Sequence, residues 1–141
     1  YLTAIRQRCA LSPLLRELVI MRVALLNRAP YEAQQHAPFA LREGMTREQL
    51  QQLEQWEASA LFTSEQRAVL ALCDAMTRTV QVPPQVLADV RAFLPHREVV
   101  ELVATIAAYN MVSRFLEALQ IHASDERAAA SGDGAREDRD Q

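Results

Sequence analysis

The run VVELVATIAAYNMVSRFLEAL, residues 99–119, constrains this chain more than any other stretch. It contains no glycine or proline, and its hydrophobic residues fall on nearly every side of a helical wheel. A helix apolar on most sides must be buried on most sides, so it needs other helices around it. In a chain of 141 residues, there is room for one domain with a real core, so a partner subunit is expected to cover one face. Glu101, Asn110, Arg114 and Glu117 interrupt the run, which argues against a membrane span.

The rest of the chain agrees with an all-α fold. It has only 3 glycines and 6 prolines, and it is rich in alanine, leucine, glutamine, glutamate and arginine, all good helix formers. Ser12-Pro13 marks a helix start, with serine as cap and proline in the first turn. Leu14, Leu15, Leu18, Val19, Val23, Leu25 and Leu26 then recur at helical spacing to about Asn27. Pro30 opens a second helix, which Gly44 closes in a left-handed conformation. Pro38 lies inside it and removes the N–H that would reach the Gln34 carbonyl, which predicts a kink or local distortion.

Thr46 with Gln49, and Thr63 with Gln66, have capping-box spacing. They predict a polar helix to about Trp56 and a fourth helix carrying Val69, Leu72, Cys73 and Met76. Pro83-Pro84 precedes a fifth helix to about Leu94. Pro95 begins the sixth and longest, ending near Leu119. About six helices therefore occupy residues 1–122. Residues 123–141 have no hydrophobe larger than alanine and many charges, and are expected to be a disordered tail.

Charge and composition exclude several functions. The formal net charge is −3 with a pI near 5.6. No basic stripe exists to bind nucleic acid. All 15 basic residues are arginine; we read this as coding bias from a high-GC genome, and it excludes lysine Schiff-base chemistry. Cys9 and Cys73 have neither metal nor redox spacing and read as free thiols in a reducing cytoplasm. Nothing present reads as a signal peptide.

The chain has three histidines, and His36 stands four residues after Glu32. That spacing puts both side chains on one helix face, a turn apart. A carboxylate there can orient an imidazole and raise its basicity, which prepares it for proton transfer near neutral pH. The alternative is an ordinary surface pair. No third ligand sits at a matching offset, so no metal site is expected. His96, at a helix start, and His122, near the tail, read as structural or exposed.

Three blocks, RELVIMRVALL, YEAQQHAPFALREGMTREQL and REVVELVATIAAYNMVSRFLEALQI, resemble the carboxymuconolactone decarboxylase family of the alkylhydroperoxidase D-like superfamily. The resemblance covers about residues 12–121. In the superfamily's peroxidase branch a CxxC precedes a histidine by four residues. With that histidine placed on His36, and Gly44 as a second anchor, the cysteine positions fall on Ala29 and Glu32. A thiol peroxidase or disulfide reductase is therefore rejected.

The resemblance implies a homotrimer or homohexamer with a pocket near a subunit interface, acting on a small molecule without a cofactor. It maps the superfamily's upstream relay glutamate to Glu17. That residue lies among hydrophobes and either points to solvent or is kept inside for a reason. The family's reaction loses carbon dioxide from a carboxylated unsaturated lactone and protonates the resulting dienolate. His36 is the expected acid, oriented by Glu32, with Glu17 relaying protons.

Arginine suits a substrate carboxylate. Arg22 and Arg114 are candidates, the latter beside Tyr109 and Asn110; ion pairing or interface packing is the alternative for each. Related sequences often carry tryptophan after the motif glutamate, where this chain has Ala33, and Gln35 before the histidine is not ionisable. Both bear on the substrate. The leading expectation is a cofactor-free lyase or isomerase for a carboxylated or enolisable cyclic compound. The competing one is a non-catalytic helical oligomer that binds a small molecule or a partner protein.

Overall fold

The computed structural model describes residues 1–122; the tail expected over 123–141 lies outside the described residues. Seven α-helices and no strand occur in the described part. They are α1 (Leu2–Gln7), α2 (Pro13–Leu26), α3 (Pro30–Arg42), α4 (Arg47–Gln52), α5 (Ser64–Arg78), α6 (Pro84–Arg91) and α7 (His96–Ala118). A 3-10 segment, Leu53–Ala58, follows α4 directly.

Local signals account for most boundaries. Thr46 and Thr63 each accept a hydrogen bond from the third helical N–H, and Gln49 and Gln66 reciprocate, so both capping boxes form. Pro13 sits in the first turn of α2, but the Ser12 hydroxyl makes no capping bond. Gly44 closes α3 at φ +112°. The Met45 N–H reaches the Ala40 carbonyl and the Gly44 N–H that of Leu41, the two bonds of a Schellman stop. The helix continues through Pro38 to Arg42.

Two elements depart from expectation. α1, which carries no strong periodic pattern, docks through buried Ile5. The third expected helix ends early, at Gln52, and changes to a 3-10 turn. Leu53 and Trp56 are both buried, and 3-10 winding stacks residues three apart on one face.

The most enclosed helix of the protomer is α2. α2 packs against α3, α5 and α7, and every residue from Glu17 to Ala24 is buried. α7 buries Leu102, Thr105, Ile106 and Tyr109. It leaves Val100, Ala107, Met111 and Phe115 exposed along one side, at helical spacing. α7 is long and apolar enough to cross a membrane, yet one face is committed to the core against α1, α2, α5 and α6.

The end of α2 carries strain. Arg28 has φ +52°, and the Ala29 and Arg28 N–H groups bond to the Ala24 and Leu25 carbonyls. This is the same stop as at Gly44, with a β-carbon where glycine is favoured. Arg28→Gly is expected to raise stability by about 0.5–1 kcal/mol. An unchanged or lower urea midpoint would show that the arginine side chain offsets its backbone strain.

Candidate active site

α2, α3 and α7 each bring one group to a common point. Glu17 comes from the second turn of α2, followed by the buried run Leu18 to Met21. His36 comes from the middle of α3 and Tyr109 from the middle of α7. The His36 Nδ1 lies 2.9 Å from Glu17 Oε2. The Tyr109 ring meets the imidazole edge-on, at 5.2 Å between centroids and 89°. Phe39, one turn further along α3, lies 5.9 Å from the imidazole on another side.

The cluster is nearly closed. Glu17 is 1% exposed, Glu32 2%, Tyr109 4% and His36 8%, so His36 is its most accessible member.

The Glu17 carboxylate is held twice. Burial alone would raise its pKa, but the hydrogen bond and charge of His36, with the Arg16 guanidinium 3.2 Å away, outweigh burial and lower it. Glu32 is in the opposite condition. Neither of its oxygens has a hydrogen-bond partner. Burial, reinforced by the charge of Glu117, pushes its pKa up to about 8. That shift favours the protonated form of Glu32 near neutral pH. Tyr109 stays neutral as well, pushed up to about 12, chiefly by burial.

The carboxylate that orients His36 is thus Glu17, and not Glu32 as spacing suggested. The i,i+4 geometry puts Glu32 on the right helix face, but crossing of α2 over α3 brings Glu17 to the ring nitrogen first. Among the expected substrate-binding residues, Tyr109 reaches His36 and the others are engaged elsewhere. Arg22 is buried and bonds through Nε and a terminal nitrogen to Asp74 at 2.7 and 2.8 Å. It also donates to the Leu53 and Glu54 carbonyls. Asn110 ties α7 to Asn27 of α2 and Thr77 of α5. Arg114 is exposed and bonds Asn110 one turn back, lining a separate cleft of about 400 Å³ with Met76 and Val80.

Two contributors were not visible in the sequence. Glu117 lies in the last turn of α7, far from the motif in sequence. Arg6, on α1, places its guanidinium 5.4 Å from the Phe39 ring centre, and its charge acts on Tyr109. An unpaired glutamate in an apolar helix end was the only signal for the first, and nothing local marked the second.

Neither cysteine has the lowered thiol pKa that favours reactivity. Burial and the charge of Glu101 raise the Cys9 thiol; burial and Asp74 raise that of Cys73, which is wholly enclosed. Both are free, and a raised pKa depletes the nucleophilic thiolate. Among the described residues, no group of three or more His, Cys, Asp or Glu side chains could hold a metal ion.

These helices form an alkylhydroperoxidase D-like fold. A candidate AhpD antioxidant-defence protein of unknown function from Agrobacterium tumefaciens superposes with a TM-score of 0.80. The two share 20% identity over 85% of this chain and 83% of the other. A cysteine-to-alanine variant of the debrominase Bmp8, in complex with 2,3,4-tribromopyrrole, superposes with a TM-score of 0.68. It shares 17% identity over 84% of this chain and 65% of that one. No curated protein sequence matches. The sequence profile of the carboxymuconolactone decarboxylase family matches residues 1–75, which include Glu17, Glu32 and His36. The chain belongs to that family.

Proposed function

We propose that the protein is a cofactor-free proton-transfer enzyme, a decarboxylase or isomerase of small carboxylated or enolisable cyclic compounds. One observation carries this reading. Two buried carboxyl groups act on the Tyr109 phenol, one of them bonded to His36, and their surroundings push them in opposite directions. Such a separation assigns an acid and a base at one pH.

Glu32 is the acid. In a decarboxylation the bond between ring carbon and carboxylate breaks, and its electron pair passes into the conjugated carbonyl. Carbon dioxide departs, and the Glu32 proton is delivered to carbon to quench the dienolate. In an isomerisation the imidazole of His36 takes a proton from one carbon, the Glu17 carboxylate stabilises the imidazolium, and Glu32 returns a proton at another. The neutral Tyr109 phenol is suited to donate a hydrogen bond to the developing enolate oxygen. The guanidinium of Arg6, beside Phe39 at the accessible side of His36, is better situated for a substrate carboxylate than Arg22 or Arg114. The Bmp8 neighbour is a debrominase bound to a small ring, which supports enzymatic chemistry on this fold.

The working form is proposed to be a homotrimer or homohexamer in the cytoplasm, assembled through the apolar stripe of Val100, Ala107, Met111 and Phe115. Closure of the protomer around the cluster supports a pocket completed at that stage.

The test is carbon dioxide release from 4-carboxymuconolactone by the full chain and by Glu32→Gln. Release that falls at least about 100-fold in a folded variant supports both reaction and site. Release unaffected by the substitution removes Glu32 from the mechanism. A folded, inactive wild type rejects this lactone, and absence of proton exchange in a panel of enolisable cyclic acids would favour a non-catalytic binding protein.

A further inference from the structure

Phe39 carries two cations. The Arg6 guanidinium of α1 lies 5.4 Å from its ring centre, and the Arg42 guanidinium of α3 lies 4.8 Å from it. The same ring stands 5.9 Å from the imidazole of His36. Each contact alone is an ordinary cation–π pair. Two like charges gathered on one ring repel each other, and little in the protomer offsets that. Arg42 has Glu43 beside it at 3.8 Å, an exposed pair of small effect. Arg6 joins no ion pair among the described residues. Its backbone is nevertheless held in place. α1 docks through buried Ile5, and Arg16, while bonded to Glu17, donates to the Arg6 carbonyl at 2.8 Å. The Arg6 charge also acts on the Tyr109 phenol, whose ring meets the imidazole edge-on. Arg6 is thus fixed near two rings that border His36, the most accessible member of the cluster.

We propose that Arg6 and Arg42 form a carboxylate-binding subsite at Phe39, which holds a carboxylate that the substrate keeps while its reacting carbon meets His36. This rests on the proton-transfer reading of that cluster. A guanidinium offers a planar fork of donors that matches a carboxylate, and it keeps its charge at every working pH. An anion between the two arginines turns their repulsion into attraction, and the Phe39 ring gives a flat apolar wall to the ligand's own ring. The carboxylate held here is not the one that departs. A cation on the departing group stabilises the ground state and opposes flow of its electron pair into the ring, so it would slow the reaction. A retained carboxylate is held alike in ground and transition states. Arg6 and Arg42 therefore set KM, and they select acids over neutral compounds of the same shape.

Magnetic resonance titration of the full chain with 2-furoate, a flat ring acid, and with its neutral amide tests this apart from turnover. The His36 imidazole signal, identified by its loss in His36→Gln, is expected to shift with furoate and far less with the amide. Furoate affinity is expected to fall about 10-fold in Arg6→Gln and about threefold in the more exposed Arg42→Gln. Arg6→Lys, which restores the charge without the fork, is expected to recover part of the loss. Equal furoate affinity in wild type and a folded Arg6→Gln protein overturns the subsite. Equal affinity for acid and amide, or no furoate binding by the wild type, overturns it too. Furoate binding that depends on Arg6, in a protein that exchanges no proton of any enolisable acid, upholds the subsite and rejects the enzyme.

Discussion

Replacing Glu32 with leucine is expected to make the protein more stable and inactive at once. The carboxyl group is buried, bonded to nothing and pushed up to about 8. An apolar side chain of similar size removes a desolvation penalty and two orphaned acceptors, a gain of about 1–3 kcal/mol at pH 7 to 8. The sign with pH is specific. Below the ordinary glutamate value of 4.5, folded and unfolded chains both hold the proton, and Glu32 costs little. Between 4.5 and about 8 the unfolded chain has released the proton and the folded chain has not, so folding grows less favourable as pH rises.

The wild type is therefore expected to lose stability relative to Glu32→Leu across that window, with the gap levelling above it. Glu17 works the other way: its lowered pKa contributes stability above the ordinary value, lost as pH falls through the lowered one. Loss of the acid should cut turnover by about 100-fold to 10,000-fold. Urea melts of both proteins between pH 4 and 9 measure the first effect, and proton-transfer rates the second. A Glu32→Leu protein less stable than wild type at pH 8, with a parallel pH slope, would mean that the carboxyl is hydrated in solution.

Arg22→Ala is expected to destabilise the protein by about 3–5 kcal/mol, the cost of stranding a buried charge. The guanidinium holds both Asp74 oxygens and the carbonyls of Leu53 and Glu54, so it fastens the 3-10 segment and α5 to α2. The Trp56 indole donates to the same Asp74 at 3.2 Å, and Trp56 is the chain's one tryptophan. Its fluorescence should shift as the network breaks. Arg22→Met with Asp74→Leu removes both charges and is expected to recover most of the loss, because a buried ion pair contributes little beyond satisfying itself. A KM increase for a carboxylated substrate with stability unchanged would instead restore Arg22 as a substrate clamp.

These two glutamate and arginine results divide the chain's buried charges by purpose. Arg22 and Asp74 satisfy each other and hold elements together. The Glu32 carboxyl satisfies nothing, and native proteins rarely retain such groups without a use. Glu17 stands between the two cases, paired to His36 in a bond that also prepares the imidazole to take a proton.

The sequence by itself determined what depends on neighbours a few residues apart. Two capping boxes placed the starts of α4 and α5, and Gly44 placed the end of α3, because those bonds close within a single turn. The four-residue step from Glu32 to His36 put both on one face of α3, since helical pitch fixes that relation before any packing occurs. Only the tertiary structure decided which partner each group takes. Glu17 reaches His36 from another helix, Arg22 turns to Asp74, and Asn110 of α7 bonds Thr77 of α5. Helix crossings set these meetings, and a crossing depends on how whole faces interlock and exclude water, which no local spacing encodes. The same packing gave His36 its carboxylate partner from α2 and left Glu32, its neighbour on α3, without a hydrogen-bond partner.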